Sequence, residues 1–343
     1  MKTLSVTFIC KDEADNLARL LPKLSFADQI IVVDTGSDDD SVKVAAQYAD
    51  VYSYKWRDDF AKARNYAISK AKCDYVMWLD CDDELPASTV DVIKRWLSDE
   101  TQRQDFVYLK YRMGIDSQFW FWRERIIRRT SLCRFRGFIH EAVCPFGQTF
   151  YLDCDVVHLS HADHSERNLA IYRSALRQGR RFTPRDKYYY ARTLYENGLP
   201  SEALSVLKEF CKSSKAYVVD KVSACKLIAR ISLKNGDLDT ALKYLAQAVT
   251  LLPPDAEACC LFADAYYNVG SYLYAAQWYE LALKNNVKVG FVNEYYKSFY
   301  PLIQLSVCWW RQGDARKAKY YHKLAKVCNP TDPVVINNDK WLS

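Results

Sequence analysis

Along the first part of the chain, short contiguous apolar runs alternate with segments whose apolar positions recur every three or four residues. LSVTFIC (4–10), QIIVVD (29–34), VYSYKW (51–56) and YVMWL (75–79) read as strands, being rich in β-branched and aromatic side chains. Between them, EADNLARLLPKL (13–24), SVKVAAQYA (41–49) and FAKARNYAISKA (60–71) have helical spacing. Strands apolar on both faces, alternating with amphipathic helices, predict an α/β domain: a mostly parallel sheet covered on both sides. Ligands bind such sheets beyond the carboxyl ends of the strands. Asp34 and Asp80 both stand at such ends.

From about residue 166 the strand pattern disappears and helical periodicity takes over. Four segments place an Ala five residues after a Gly: GLPSEA from Gly198, GDLDTA from Gly236, GSYLYA from Gly270 and GDARKA from Gly313. The middle pair is spaced at the tetratricopeptide period, and the flanking intervals are somewhat longer. Each Gly is suited to end one helix, and each Ala lets the next helix approach closely. Aromatic residues recur before the Gly (Tyr195, Tyr266, Tyr267, Trp309, Trp310). The expectation is a catalytic α/β domain over 1–165 and an all-α solenoid over 166–343.

Composition changes this picture little. The chain has 343 residues, is half hydrophobic and carries a formal net charge of +6, which fits two folded domains and excludes a disordered or fibrous protein. Twelve cysteines without a CxxC pair, two of them adjacent at Cys259 and Cys260, suggest free thiols in a reducing cytoplasm. The short apolar stretch Leu4–Cys10 runs directly into Lys11, Asp12 and Glu13, as a first strand does and a signal peptide does not. No apolar run is long enough for a transmembrane helix. The aromatic and basic stretch QFWFWRERIIRR (118–129) could suit single-stranded nucleic acid. An alternating strand accounts for it better, with Phe119, Phe121 and Arg123 on one face and Trp120 and Trp122 on the other. No nucleic-acid partner is therefore expected, and stacking of a Trp on a sugar or peptide competes with core packing.

The chemistry concentrates where YVMWL meets Asp80, Cys81, Asp82, Asp83 and Glu84. Two carboxylates one residue apart at a strand end can both reach a divalent cation, which prefers oxygen ligands. The cation's open positions then accept diphosphate oxygens and stabilise a departing nucleoside diphosphate.

IVVDTGSDD, WRDDFAKARNYA and MWLDCDDELP, in this order, resemble family 2 glycosyltransferases of the GT-A fold, over roughly residues 4–165. That resemblance implies that Asp34 binds the uracil or ribose end of a UDP-sugar. Arg64 and Asn65 would lie near the nucleotide or diphosphate, and Asp80 and Asp82 would hold Mn2+ or Mg2+. RFRGFIHEAV (134–143) is similar to a Gly-x-x-His-Glu segment of related enzymes, which puts His140 and Glu141 at the sugar and acceptor. Glu141 is the expected base of an inverting transfer, with Asp155, backed by Asp153, as its rival. In VVHLSHADHSERN (156–168), His158 is a further metal ligand or a donor to the diphosphate, with His161 and His164 as weaker candidates. A basic loop rich in Gly after the first strand, as nucleotidyltransferases carry, is missing from FICKDEADN.

A GT-A domain followed by tetratricopeptide repeats looks like the sublancin-type glycopeptide glycosyltransferases. The likeness implies transfer of a hexose to Cys, or to Ser or Thr, of a bacteriocin precursor. The expected partners are a UDP-hexose donor and an acceptor peptide or small protein, with a homodimer as a further option. Decoration of a cell-surface polysaccharide is the enzymatic alternative. A tetratricopeptide scaffold with an inactive nucleotide-binding domain is the alternative of another class.

Overall fold

The computed structural model of the chain describes residues 2–101, 103–159, 164–288 and 290–342. It divides into two compact units, Met1–Ile171 and Tyr172–Ser343. In the first unit the strands are β1 (Leu4–Cys10), β2 (Gln29–Asp34), β3 (Asp50–Ser53), β4 (Tyr75–Trp78) and β5 (Asp83–Glu84), followed by β6 (Phe106–Met113), β7 (Phe119–Arg128), β8 (Phe135–Arg136), β9 (Ala142–Val143) and β10 (Thr149–His158). Eight of them follow the order β3-β2-β1-β4-β7-β6-β10-β5. The β3-β2-β1-β4 block is parallel throughout, β10 runs parallel to β6, and β7 is antiparallel to both its neighbours. β8 and β9 form a separate two-stranded ribbon.

The helices of this unit are α1 (Ala14–Leu20), α2 (Ser41–Ala45), α3 (Phe60–Lys70), α4 (Ala87–Ser98) and α5 (Ser165–Arg177), the last crossing into the second unit. The first helix is shorter than its periodicity predicts. Pro22 has no amide hydrogen and disfavours helix for the residue before it, so the chain tightens into a 3₁₀ turn at Leu21–Leu24. The central strands are buried on both faces, as their apolar runs require. Asp59 caps α3 through the amide of Lys62 (3.0 Å). This helix turns Ala61, Ala63, Arg64 and Ala67 to the protein interior. Three of these four are alanines, so the helix lies close to β1 and β2 and brings the one long side chain, Arg64, inside.

The second unit is helical. It contains α6 (Pro184–Glu196), α7 (Pro200–Cys211), α8 (Val218–Lys234), α9 (Leu238–Leu251), α10 (Ala256–Asn268), α11 (Tyr272–Lys284), α12 (Phe299–Arg311), α13 (Ala315–Cys328) and α14 (Pro333–Leu342). The four repeated glycines end α6, α8, α10 and α12 with φ of 71°, 75°, 77° and 80°, a conformation that L side chains disfavour. The amide after each Gly bonds a carbonyl five residues back, as in Leu199 to Leu194 (2.9 Å) and Ser271 to Tyr266 (3.0 Å). The paired alanines Ala203, Ala241, Ala275 and Ala318 are all fully buried, so the Gly and Ala pattern marks four helical hairpins. All twelve cysteines are free thiols. Among the described residues no helix is long and apolar enough to cross a membrane.

Candidate active site

At the carboxyl end of β2, Asp34 is 8% exposed. Its carboxylate accepts the amides of Gly36 (3.2 Å) and Ser37 (3.0 Å), which shapes the turn that leaves the strand. Gly36 has φ 109°, which favours glycine there. On the neighbouring strand, burial and then the Asp34 charge push the Cys10 thiol up to about 12, so this cysteine is a packing residue rather than a nucleophile.

The four carboxylates after β4 do not face one another unrelieved. Asp80 accepts from Arg64 Nη2 at 2.5 Å and lies 3.7 Å from Arg125 Nη2. Asp83, fully buried, has Arg125 Nη2 at 3.1 Å and accepts the Tyr111 hydroxyl (2.9 Å) and the Asp80 amide (2.9 Å). Glu84 turns the other way, to Arg19 and Lys23 on and after α1. Among the described residues, the side chain of Asp82 has His158 as its ion partner, 3.3 Å from its Nδ1. Burial by itself would raise the Asp80 carboxyl, but the charges of Arg64 and Arg125 overcome it and hold Asp80 well below the usual range.

Arg125 reaches this cluster through a fault in the sheet. The β6–β7 register slips between Val107 and Tyr108, so that Ile126 opposes Val107 while Glu124 opposes Tyr108. Arg125 is the extra residue of that bulge, a device that redirects a side chain. It is completely buried, and its guanidinium sits 4.0 Å from the Trp78 ring and 4.2 Å from the Tyr111 ring.

Antiparallel pairing of β5 with β10 sets His158 opposite Asp83. One ligand atom each from Asp82, Asp83 and His158 lies within 4.8 Å of the others. The His158 Nδ1 is buried and has no well-formed hydrogen bond, although carboxylate oxygens lie 3.3 and 3.5 Å away. Burial would lower its pKa, but the hydrogen-bonding and charge of the two aspartates raise it to about 10. Asp82 and His158, with Asp83 beside them, form an oxygen and imidazole donor set that fits a divalent cation, which would displace the proton His158 otherwise carries. Asp82 and His158 meet here as expected. Asp80, the other expected ligand, has its oxygens on Arg64, Arg125 and Tyr111, and the carboxylate that meets Asp82 and His158 is Asp83.

The other expected site residues have the following partners. The Asn65 amide bonds both backbone groups of Phe135, at 3.0 and 2.8 Å. It clamps α3 to β8. Glu141 is 6% exposed and accepts from Arg64 Nε at 2.5 Å, so it serves first as the counter-ion of Arg64. Asp155 pairs with Arg112 (3.0 Å) and Asp153 with Lys110. His140 has φ 51° and follows Gly137 at φ 93°, a tight turn tied to α3 by the Phe60 amide on the Phe138 carbonyl (2.9 Å). His161 lies outside the described residues. Trp120 and Trp122 pack edge to face at 5.8 Å, with Lys110 within 5.7 Å of both rings. Sequence reasoning missed Arg125 and Tyr111, and for Arg125 the cause is that a bulge leaves no mark in an alternating pattern.

In the second unit, α8, α10, α11 and α12 with Tyr296 line an open pocket of about 460 Å³. Asp264 lies in it and accepts the hydroxyls of Tyr279 (2.5 Å) and Tyr300 (2.9 Å). Arg230, bound to Glu257 and the Tyr296 hydroxyl, supplies the opposite charge.

Residues 5–155, within the first unit, match the family model described as glycosyl transferase family 2. A TPR repeat-containing protein of Synechococcus elongatus is 32% identical over 145 residues, 42% of this chain and 36% of that protein. An uncharacterized glycosyltransferase of Rickettsia felis is 30% identical over 117 residues, 34% of this chain and 40% of that protein. The chain thus spans about two-fifths or less of these relatives' length. Among solved structures, a TPR protein of Thermus thermophilus is 19% identical with a TM-score of 0.37, covering 51% of this chain and 88% of that one. Glucosyl-3-phosphoglycerate synthase of Mycobacterium tuberculosis is 23% identical with a TM-score of 0.27, covering 32% and 44%. Both scores are too low to transfer anything about a site.

Proposed function

We propose that this chain is an inverting, metal-dependent glycosyltransferase that moves a hexose from a UDP-sugar to Cys, or to Ser or Thr, of a peptide. The observation that carries the reading is the unequal sharing of charge after β4. Three carboxylates are matched by arginine, lysine or tyrosine, while Asp82 faces His158, whose proton a divalent cation would displace. When bound there, the cation supplies Lewis-acid stabilisation of the departing diphosphate. Asp34 is proposed to meet the nucleoside, and Arg64, kept charged by Asp80 and Glu141 despite its burial, to face the diphosphate. His140 is proposed on the acceptor side.

The acceptor is proposed to be a bacteriocin-type precursor, recruited in the tyrosine-lined pocket of the repeats. Solenoids of this kind bind extended or helical peptide segments, and Asp264 with Arg230 offers both signs of charge to such a chain. The test is intact-mass analysis of precursor peptides bearing Cys, Ser or Thr, incubated with the full-length protein, Mn2+ and a panel of UDP-sugars. Addition of a single sugar residue is expected. Absence of both glycosylated product and released UDP across the panel would end the reading.

Glu141→Gln separates the base from the counter-ion. The amide retains an oxygen for Arg64 Nε but loses the charge. As a counter-ion, Glu141 should cost about tenfold in kcat/KM, equally for Cys and Ser acceptors. Loss of the roughly 10²–10⁴-fold that a general base supplies, confined to Ser, would restore the base assignment, because a thiol ionises unaided far more readily.

A further inference from the structure

Resting on the reading above, we propose that Arg125, with Tyr111, is a positioning residue that withholds Asp83 from direct coordination. The cation on Asp82 and His158 then keeps open positions for diphosphate oxygens.

Distance alone does not keep Asp83 away, since its Oδ1 is 3.5 Å from His158 Nδ1 and within 4.8 Å of the Asp82 ligand atom. What differs is occupancy. Asp83 Oδ1 accepts the Tyr111 hydroxyl, and Oδ2 accepts the Asp80 amide and faces Arg125 Nη2. Asp82 has none of these side-chain partners. The guanidinium is fixed from three sides: by the Trp78 and Tyr111 rings, by its Nη1 on the Trp78 carbonyl at 3.2 Å, and by the bulge that aims it. A fully buried arginine is costly unless its charge is used. Here it offsets Asp83 and part of Asp80, which leaves a weak, open cation site in place of a tight, closed one. Openness matters because a metal site serves catalysis only while it retains positions for substrate.

The variants Arg125→Met and Tyr111→Phe remove the guanidinium and the hydroxyl while keeping most of the volume. Mn2+ binding to the full chain, followed by the electron paramagnetic resonance signal of free Mn2+, should tighten about tenfold for Arg125→Met and roughly threefold for Tyr111→Phe, within the range by which partners of a ligand tune affinity. Added Mn2+ should raise the melting temperature of Arg125→Met more than that of the wild type. Transfer should fall by about a hundredfold with a raised donor KM, and excess Mn2+ should not restore it. Arg125→Lys keeps the charge and should bind Mn2+ as the wild type does. A scaffolding role alone predicts the reverse, weaker Mn2+ binding as the loop loosens. That result, or unchanged affinity in the variants that fold, overturns the proposal, as does a wild type that binds no Mn2+. Should Arg125→Met fail to fold, Tyr111→Phe decides. If the Mn2+ trend holds while no sugar nucleotide is turned over, the transferase reading falls and the role of Arg125 stands.

Discussion

Asp82→Asn is expected to abolish sugar transfer and leave the fold intact. Of the four carboxylates after β4, Asp82 is the one that, among the described residues, faces no arginine, lysine or tyrosine; His158 stands against it. Asn preserves the shape and the bond from the Leu159 amide to the residue-82 carbonyl, so the melting temperature should fall only by what the contact with His158 contributes. What disappears is the anionic oxygen that a hard cation requires. Lewis-acid stabilisation of a departing diphosphate is worth several kcal/mol, and each ~1.4 kcal/mol is tenfold in rate. Single-turnover product formation in Mn2+ should therefore drop by at least about a thousandfold. Chelation of the wild type should do the same. Asp80→Asn should behave differently, because it removes one of the two carboxylates that pair Arg64 and so lowers stability as well as rate. Full turnover of Asp82→Asn, or of the wild type in chelator, would remove the cation from the account.

The contrast between Asp80 and Asp82 shows what a sequence can and cannot carry. Contiguous Val and Ile runs locate the parallel strands, because a strand buried on both faces has no other composition to use. The Gly and Ala spacing locates the repeat hairpins, since a positive φ and a close helix contact each select one small residue. Asp80 and Asp82 are likewise placed at a strand end by the chain itself. Which of them meets a cation is decided by Arg64 and Arg125, which arrive from α3 and from a bulge in β7. Nothing local encodes that allotment. Asn65 and Glu141 follow the same rule: their chemistry suits a substrate, but Phe135 and Arg64 lie within bonding distance and claim them. Pro22 was legible in principle, since it stands inside the run predicted as helix.

Arg64→Met should be the most destabilising substitution in the first unit, and its penalty should shrink in acid. Arg64 Nε and Nη2 reach Glu141 and Asp80, each at 2.5 Å, with the guanidinium 4.4 Å from the Trp78 ring. Removing one member of a buried ion network strands the others, at roughly 3–5 kcal/mol, or about 6–20 °C in melting temperature for a domain of this size. The sign of the pH dependence follows from Asp80. In the wild type its carboxyl is held below its unfolded value, so its contribution is complete above about pH 4 and is lost only as pH falls below that, toward the depressed folded value. Without Arg64, burial dominates at Asp80, the folded form prefers the proton, and stability rises as pH falls. Wild-type and variant stabilities, measured by urea unfolding from neutral pH downward, should therefore converge as the solution passes below about pH 4. Parallel curves would mean that Asp80 does not depend on Arg64 for its charge. Arg64→Lys provides the discriminating case: a single ammonium keeps the charge but cannot serve both carboxylates, so its stability should lie between the two at neutral pH while transfer stays low.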